Sequence, residues 1–147
     1  MSTLPPLPRD QRKIDQDHVK LLAIFHFVAA GLALFGILFL ILHFTIVHTI
    51  FADPKIWENQ KSGPPPAIIL QVLNLVYVVV GAWFLISGIL NVISGLCLAS
   101  RKGRTFSMVV GGINCLHIPL GIVLGVFTLI VLMRDSVREL YETPSRV

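Results

Sequence analysis

Charged residues are scarce in this chain and are confined to a few short segments. Asp, Glu, Lys and Arg make up 14% of the 147 residues, against roughly 25% in an ordinary soluble domain. None of them occurs in the windows 21–52, 62–100 and 105–133. Each window is longer than the roughly 20 apolar residues that a helix needs to cross a bilayer. The sequence therefore predicts an all-α integral membrane protein rather than a water-soluble fold.

The patterns of catalytic and metal sites are also missing. The chain contains no His-Glu-x-x-His and no Cys-x-x-Cys, the spacings that bring metal or redox ligands together. Ser87, Ser94 and Ser107 have no evident base and orienting acid for a hydrolase triad. Proton-coupled transport and voltage sensing need ionisable groups inside the membrane, and the three windows offer only histidine. We expect no enzymatic activity, no metal and no cofactor.

Two long spans precede a basic turn. The first predicted helix covers 20–51, with Asp15 or Asp17 as a cap near its start, and follows a disordered cytoplasmic leader over 1–19. The second covers 67–99, because no proline interrupts it and the segment 101–104 is basic. Both helices exceed the thickness of the hydrocarbon core, since each residue adds about 1.5 Å.

The third window contains Pro119 near its middle, so it folds either as one kinked span or as a hairpin. Lys and Arg concentrate in cytoplasmic loops. A hairpin with arms at 105–118 and 119–133 keeps both termini and the 101–104 turn on the cytoplasmic side. We therefore predict a four-helix bundle whose transmembrane domain is 20–133, followed by a cytoplasmic interfacial helix and tail at 134–147. The arms are short, which favours a re-entrant hairpin; three spans with a helix kinked at Pro119 is the alternative.

The end of the third window carries a resemblance. The residues of 119–132 read Pro-Leu-Gly-Ile-Val-Leu-Gly-Val-Phe-Thr-Leu-Ile-Val-Leu. This segment resembles the closing segment of small, uncharacterised bacterial multi-span membrane proteins, in which a Thr often follows the first Gly where this chain has Ile122. The resemblance implies a bacterial inner-membrane location and a four-helix layout, and it brings no activity with it.

Small and polar residues follow one stripe of the second predicted helix at intervals of seven. Glycine lets a neighbouring helix approach closely, and Asn can form hydrogen bonds across such a contact. Gly121 and Gly125 repeat the small-residue spacing on the last helix. We expect these positions to pack helices within one chain or between copies in an oligomer; the stripe consists of Asn74, Gly81, Gly88, Asn91 and Gly95.

Two further groups of residues are candidates for binding. His43, Cys115 and His117 fall toward the outer half in the hairpin topology, but their spacing gives poor support for a ligand set. Arg101, Lys102 and Arg104 fall at the inner border, where basic residues attract anionic lipid headgroups. The same membrane-border placement argues against a nucleic-acid partner.

These patterns predict a non-enzymatic polytopic membrane protein that acts through helix–helix assembly. Its partners would be the lipid bilayer together with a second copy or another membrane protein. One alternative is an oligomeric pore or passive conduit for ions or small solutes, lined by Gln71, Asn74 and Asn91. Another is a metal- or haem-binding membrane protein that uses His43, His117 and His26.

Overall fold

A computed structural model describes residues 9–58, 67–117 and 119–142. In these ranges the chain forms helices and turns and contains no strand. The six helices follow in chain order: α1 Arg9–Ala52, α2 Pro54–Glu58, α3 Ala67–Ala99, α4 Arg104–Asn114, α5 Leu120–Leu132 and α6 Asp135–Glu142.

Two of these helices, α1 and α3, are long and apolar enough to cross a membrane, and α5 with α6 forms a further candidate if that bent pair is one span. The prediction of an all-helical chain with two long apolar helices is confirmed. The bounds of α3 agree with the predicted 67–99. Helix α3 ends at Ala99 because Arg101, two residues further on, adopts a left-handed conformation with φ of 53°. An α-helix cannot continue through that conformation.

The predicted disordered leader over 1–19 is wrong from residue 9 onward, because α1 begins at Arg9. Residues 1–8 of that leader lie outside the described residues. Asp15 and Asp17 consequently lie inside the helix and do not cap it. Asp15 is buried, as are Val19 and Leu22 on the same helix face. This buried face explains the extension, since an amphipathic segment gains helix stability from packing.

A short helix, α2, interrupts the polar segment that follows α1 and was not predicted. Its start is marked by Asp53, whose Oδ1 accepts a hydrogen bond from the Lys55 backbone N–H at 3.0 Å. Proline at the first position of the helix suits the fixed φ of that residue. The segment 59–66 lies outside the described residues.

The third window folds back on itself. Helix α4 ends at Asn114 and α5 begins at Leu120, directly after Pro119. Their contacts pair Arg104 with Leu132 and Gly111 with Thr128, so the two helices run antiparallel. This is a helical hairpin and not one helix kinked at Pro119. The first arm ends at Asn114, earlier than the predicted 118, because the chain tightens there into a turn in which Leu116 N donates to Ile113 O at 3.0 Å and His117 N to Asn114 O at 2.9 Å. Residue 118 itself lies outside the described residues.

A bend of 72° separates α5 from α6 at the break after Leu132. Helix α6 is amphipathic and buries Val137 and Leu140, on the face that the spacing of the sequence predicts. The part of the predicted interfacial segment beyond residue 142 lies outside the described residues.

The chain divides into two compact units, and α1 and α3 each contribute to both. The first unit comprises Met1–Ala30 and Ile89–Val147. Its apolar core joins α1, α3, α5 and α6, with Met108, Leu124, Phe127 and Tyr141 packed against it. The residues of this core are Val19, Leu22, Ala23, Leu98, Val131, Leu132 and Val137.

The second unit, Gly31–Gly88, contains the remaining parts of α1 and α3 together with α2. Here α1 and α3 contact each other through small residues. A methyl group added at Gly36 would lie 3.0 Å from the Phe84 ring, and one at Gly88 would lie 3.4 Å from Ala33 Cβ. Phe51 stacks on Trp57 of α2, with ring centroids 5.7 Å apart.

In the first unit, glycines bring the backbones of α4 and α5 into direct contact. A side chain at Gly125 would overlap Gly111 O and Cys115 Sγ, and one at Gly121 would overlap Asn114 O. Because the obstacles are largely backbone atoms, no rotamer change can make room. The hairpin therefore requires glycine at both positions.

We predict that Gly125→Ala destabilises the hairpin by about 1–3 kcal/mol, the range for overpacking a tight contact. The matched control is Gly112→Ala in the same hairpin, where an added methyl group meets nothing within 4 Å. That control should raise stability by up to about 1 kcal/mol, since alanine favours helix more than glycine does. Unfolding of the detergent-solubilised chain, followed by circular dichroism, measures both. Equal effects of the two substitutions would contradict this packing.

Candidate functional site

A reciprocal pair of amides joins α3 to the hairpin in the first unit. Asn91 Nδ2 donates to Asn114 Oδ1 at 3.0 Å, and Asn114 Nδ2 donates to Asn91 Oδ1 at 2.8 Å. Both side chains are buried, with 2% and 3% of their surface exposed. Each amide thus satisfies the other where lipid offers no partner. The pore hypothesis placed Asn91 in a lumen, whereas within this chain its amide is buried against Asn114.

Other polar side chains are buried in the same unit. Thr128 Oγ1 donates to Leu124 O at 2.7 Å, and His26 Nδ1 shares a hydrogen bond with Leu22 O at 2.9 Å. Both contacts reach a carbonyl one turn back on the same helix, the usual solution for a polar side chain in an apolar helix. Ser94 Oγ and Ser107 Oγ are buried without a hydrogen-bond partner among the described residues.

The predicted stripe on α3 varies in burial along its length. Gly95 is buried, Gly81 and Gly88 are half-buried, and Asn74 is exposed. The physical reason is the mismatch between a seven-residue repeat and 3.6 residues per turn, which rotates the stripe by about 20° per heptad. Over three heptads this amounts to roughly 60°. Positions at the two ends of a seven-residue stripe are therefore offset by that angle around an ideal helix axis.

The glycines of the stripe contact α1 within each unit. In the first unit a methyl group at Gly95 would lie 3.0 Å from the Phe27 ring. In the second unit one at Gly81 would lie 3.4 Å from Leu40 Cδ2. The spacing rule therefore identified positions of close helix approach, and their neighbours belong to the same chain.

The three residues of the predicted outer cluster have separate surroundings. His43 Nδ1 shares a 2.6 Å hydrogen bond with Tyr77 Oη in the second unit, and the Phe44 ring packs edge-on against Tyr77. Cys115 contacts Gly125 in the first unit, and His117 lies in the turn of the hairpin. Among the residues that the structure describes, no group of three or more His, Cys, Asp or Glu is placed to hold a metal ion.

The basic segment after α3 is an ordered turn. Lys102 N donates to Cys97 O at 2.8 Å and Arg101 N to Leu98 O at 3.2 Å. These two hydrogen bonds and the left-handed conformation of Arg101 form the Schellman motif that ends many helices. The left-handed position of this motif is usually glycine, and in this chain it is Arg101. Gly103 is left-handed as well, with φ of 63°, and precedes α4.

Arg104 closes the base of the hairpin. Its Nε donates to Leu132 O at 2.7 Å, one of the carbonyls that the end of α5 leaves without a helical partner. Beyond α5, Arg134 NH1 lies 3.9 Å from Asp15 Oδ1, and Gln11 Nε2 donates to the same oxygen at 3.2 Å. These contacts give the fully buried Asp15 both a charge partner and a hydrogen bond.

Tyr141 lies beside the basic turn. Burial raises the pKa of its hydroxyl to about 12, while the positive charges of Arg104 and Arg101 act to lower that pKa. The ring packs against the apolar core of the first unit. Its Oη is buried and has no hydrogen-bond partner in the described part of the chain. The hydroxyl of Tyr141 is therefore buried within the influence of two of the turn's cations, Arg101 and Arg104.

Comparison of the chain with protein-family models, curated proteins and solved structures finds no match. The resemblance of the closing segment to small bacterial membrane proteins thus stays a prediction.

Sequence reasoning missed two residues that organise the first unit. Asn114 was missed because it lies outside the seven-residue repeat. The sequence feature that could have identified it is an amide side chain within a window that has no charged residue. Asp15 was assigned to a helix cap, although its spacing to Val19, Leu22 and His26 follows one helix face.

We predict that Asn91→Leu and Asn114→Leu each destabilise the chain by about 1–3 kcal/mol, because each removes the buried amide to which the other is hydrogen-bonded. The double variant should lose less than the sum of the two single variants, with a coupling of about 1 kcal/mol. Chemical unfolding in mixed micelles measures the four chains of this cycle. Additive losses would contradict the reciprocal pair.

The Tyr141 hydroxyl predicts an alkaline transition. Because its pKa is raised in the fold above the ordinary value of about 10, its contribution to stability is present below pH 10 and is lost as pH rises toward 12. The loss is on the order of 1 kcal/mol after allowance for solvent screening. Between pH 9 and 12 the thermal unfolding midpoint should fall more steeply for the natural chain than for Tyr141→Phe. Because both chains contain the same lysines, the difference between the two curves isolates the tyrosine. Parallel curves would contradict burial of the hydroxyl.

Proposed function

We propose that this protein is a non-enzymatic subunit of a membrane assembly, and that a second copy or another membrane protein covers the turn of its α4–α5 hairpin. The observation that carries the proposal is the length of the hairpin relative to the bilayer.

Helix α4 has 11 residues and α5 has 13, which at 1.5 Å per residue gives about 16 and 20 Å. The hydrocarbon core is about 30 Å thick. The bond from Arg104 to Leu132 O holds the base of the hairpin together, and the cations at Arg104 and Arg134 favour a position at the headgroup level. The turn then lies at mid-membrane depth.

The backbone of the turn at 115–117 is not suited to direct contact with lipid. Leu116 is 69% exposed and Leu120 is 68% exposed in the single chain. Residues 115–117 lie outside regular helix, and non-helical backbone at membrane depth persists only where protein or water covers it. A transmembrane helix of a partner covers this backbone and keeps water out of the hydrocarbon.

The basic residues favour one orientation. In the described part of the chain the first unit contains Arg12, Lys13 and Lys20 on α1, the three cations of the 101–104 turn, and Arg134 and Arg138, while the second unit contains Lys55. By the positive-inside rule we place the charged end of the first unit, and with it both termini, in the cytoplasm. The resemblance of the closing segment extends this proposal to the inner membrane of a bacterium.

The experiment places a photo-cross-linking amino acid at Leu116 in the full chain, expressed in its native membrane. We expect a discrete protein adduct, because the proposal puts a partner directly over this residue. The matched control is Leu34 on α1, which is 60% exposed and whose helical backbone needs no cover.

An adduct of twice the 16.3 kDa chain mass identifies a second copy, and a single adduct with the same protein in repeated preparations identifies a different subunit. Lipid adducts alone at both positions would overturn the proposal. Equal protein adducts at Leu116 and Leu34 would overturn the specific role of the turn.

A further inference from the structure

A hydrogen bond between His43 and Tyr77 joins α1 to α3 in the second unit. The histidine Nδ1 and the tyrosine Oη are 2.6 Å apart. We assign the tyrosine as the donor, because the opposite assignment leaves its hydroxyl hydrogen without an acceptor in the described part of the chain. A neutral imidazole that accepts at Nδ1 carries its hydrogen at Nε2. The second nitrogen of His43 is therefore a hydrogen-bond donor.

This second nitrogen has no partner within the chain. The His43 ring is exposed, and its Nε2 forms no hydrogen bond among the described residues. The next charged residue along the chain is Asp53, ten residues later and about 15 Å along the helix. Hydrocarbon offers no acceptor to an N–H group. The donor therefore suits an apolar molecule that carries an acceptor of its own. Three side chains near His43 on α1 are apolar and between 50% and 59% exposed: Phe39, Leu42 and Ile46.

Aromatic rings lie on both sides of the His43 imidazole. The Phe39 ring, one turn earlier on α1, has its centroid 6.3 Å away and is tilted by 30° from the imidazole plane. On the other side, Tyr77 holds the imidazole through Nδ1 and is itself contacted edge-on by Phe44, with ring centroids 5.1 Å apart. The imidazole is thus fixed in orientation, and together with Phe39 it presents an exposed aromatic surface. Flat ring molecules pack well against such a surface.

We propose that His43 and Phe39 bind the ring of a lipid-soluble quinone, with Tyr77 as the positioning residue. A quinone is flat and apolar apart from its carbonyl oxygens, and those oxygens only accept hydrogen bonds. One carbonyl would accept from His43 Nε2 while the ring packs against Phe39. The ester carbonyls of phospholipids offer the same acceptor. The quinone is favoured as the source because it also brings a ring to the exposed Phe39.

The test uses the full chain in phosphatidylcholine nanodiscs, titrated with decyl-benzoquinone. Quenching of tryptophan fluorescence reports binding, since Trp83 lies six residues after Tyr77 on α3, about 9 Å along the helix. His43→Phe keeps an aromatic ring and removes the donor, and Tyr77→Phe removes only the hydroxyl. The matched control is Thr45→Val, which removes an exposed hydroxyl that donates to Ile41 O of its own helix.

We expect saturable quenching of the natural chain. His43→Phe should weaken quinone binding about tenfold, the effect of losing a hydrogen bond that water does not replace. Tyr77→Phe should weaken it about threefold, because the imidazole then loses its fixed tautomer and orientation. Thr45→Val should change it less than about twofold. A purely structural role for the pair would lower the unfolding midpoint of both variants, followed by circular dichroism, and leave quinone binding unchanged.

Competition identifies the chemistry that the site selects. Decylbenzene has the ring and the chain without a carbonyl, and decyl acetate has an ester carbonyl without the ring. We expect neither to displace the quinone at equal concentration. Displacement by decylbenzene would remove the role of His43 as donor, and displacement by decyl acetate would assign the site to ester carbonyls. Either result would overturn the proposal.

Two further outcomes would also overturn it. One is quenching that rises in proportion to quinone concentration and is the same in the natural chain and in His43→Phe, which is partition into the bilayer alone. The other applies if His43→Phe fails to fold: quinone binding by Tyr77→Phe that equals binding by the natural chain. The assembly proposal rests on the hairpin of the first unit, so the two proposals can fail independently.

Discussion

The buried amide pair between Asn91 and Asn114 is the contact on which the first unit depends. It ties the last residue of α4 to a point on α3 about 12 Å before that helix ends, counting eight residues at 1.5 Å each. The position of the hairpin turn follows from this contact. Any shift of α4 along α3 would break both hydrogen bonds between these buried amides, at a cost that an apolar contact would not impose.

Close backbone approach is the second constraint. Glycines allow α4 and α5 to meet at Gly111 and Gly125 with main-chain atoms in contact, so the hairpin is thin enough to pack beside α3 and α1 in one small unit. The apolar core of the unit also includes Val19, Leu22 and Ala23 of α1 and Val137 of α6. The amide pair fixes the position of the hairpin along α3, and the glycine contacts fix the distance between its two helices.

The parts of this fold that could be predicted from sequence are those marked by local signals. Proline before α3 and the basic segment after it delimit that helix, and Pro119 indicates the turn of the hairpin. The start of α1 could not be found in this way, because charged residues on its exposed faces hide a buried seam through Asp15 and Val19. A membrane-span criterion counts charge and does not detect which face carries it.

The candidate sites show the same division. Seven-residue spacing located Gly81, Gly88 and Gly95 at close helix contacts, and charge at the membrane border selected Arg101, Lys102 and Arg104. The pairing of Asn91 with Asn114 and the burial of the Tyr141 hydroxyl could not be predicted from the sequence. Both depend on how the Schellman turn directs the chain from α3 into α4. Long-range register of this kind is set by backbone geometry and not by periodicity.

The hydrogen bond between Arg104 and Leu132 O joins the beginning of α4 to the end of α5. Neither helix is long enough to enter a bilayer as a span of its own, and a lone half-helix in lipid would leave its terminal backbone groups without partners. In the membrane assembly proposed above, the two helices integrate together as one folded loop, after α3, whose Asn91 pairs with Asn114. On that proposal the order of insertion during synthesis follows from the hairpin, because α4 enters the hydrocarbon only together with α5.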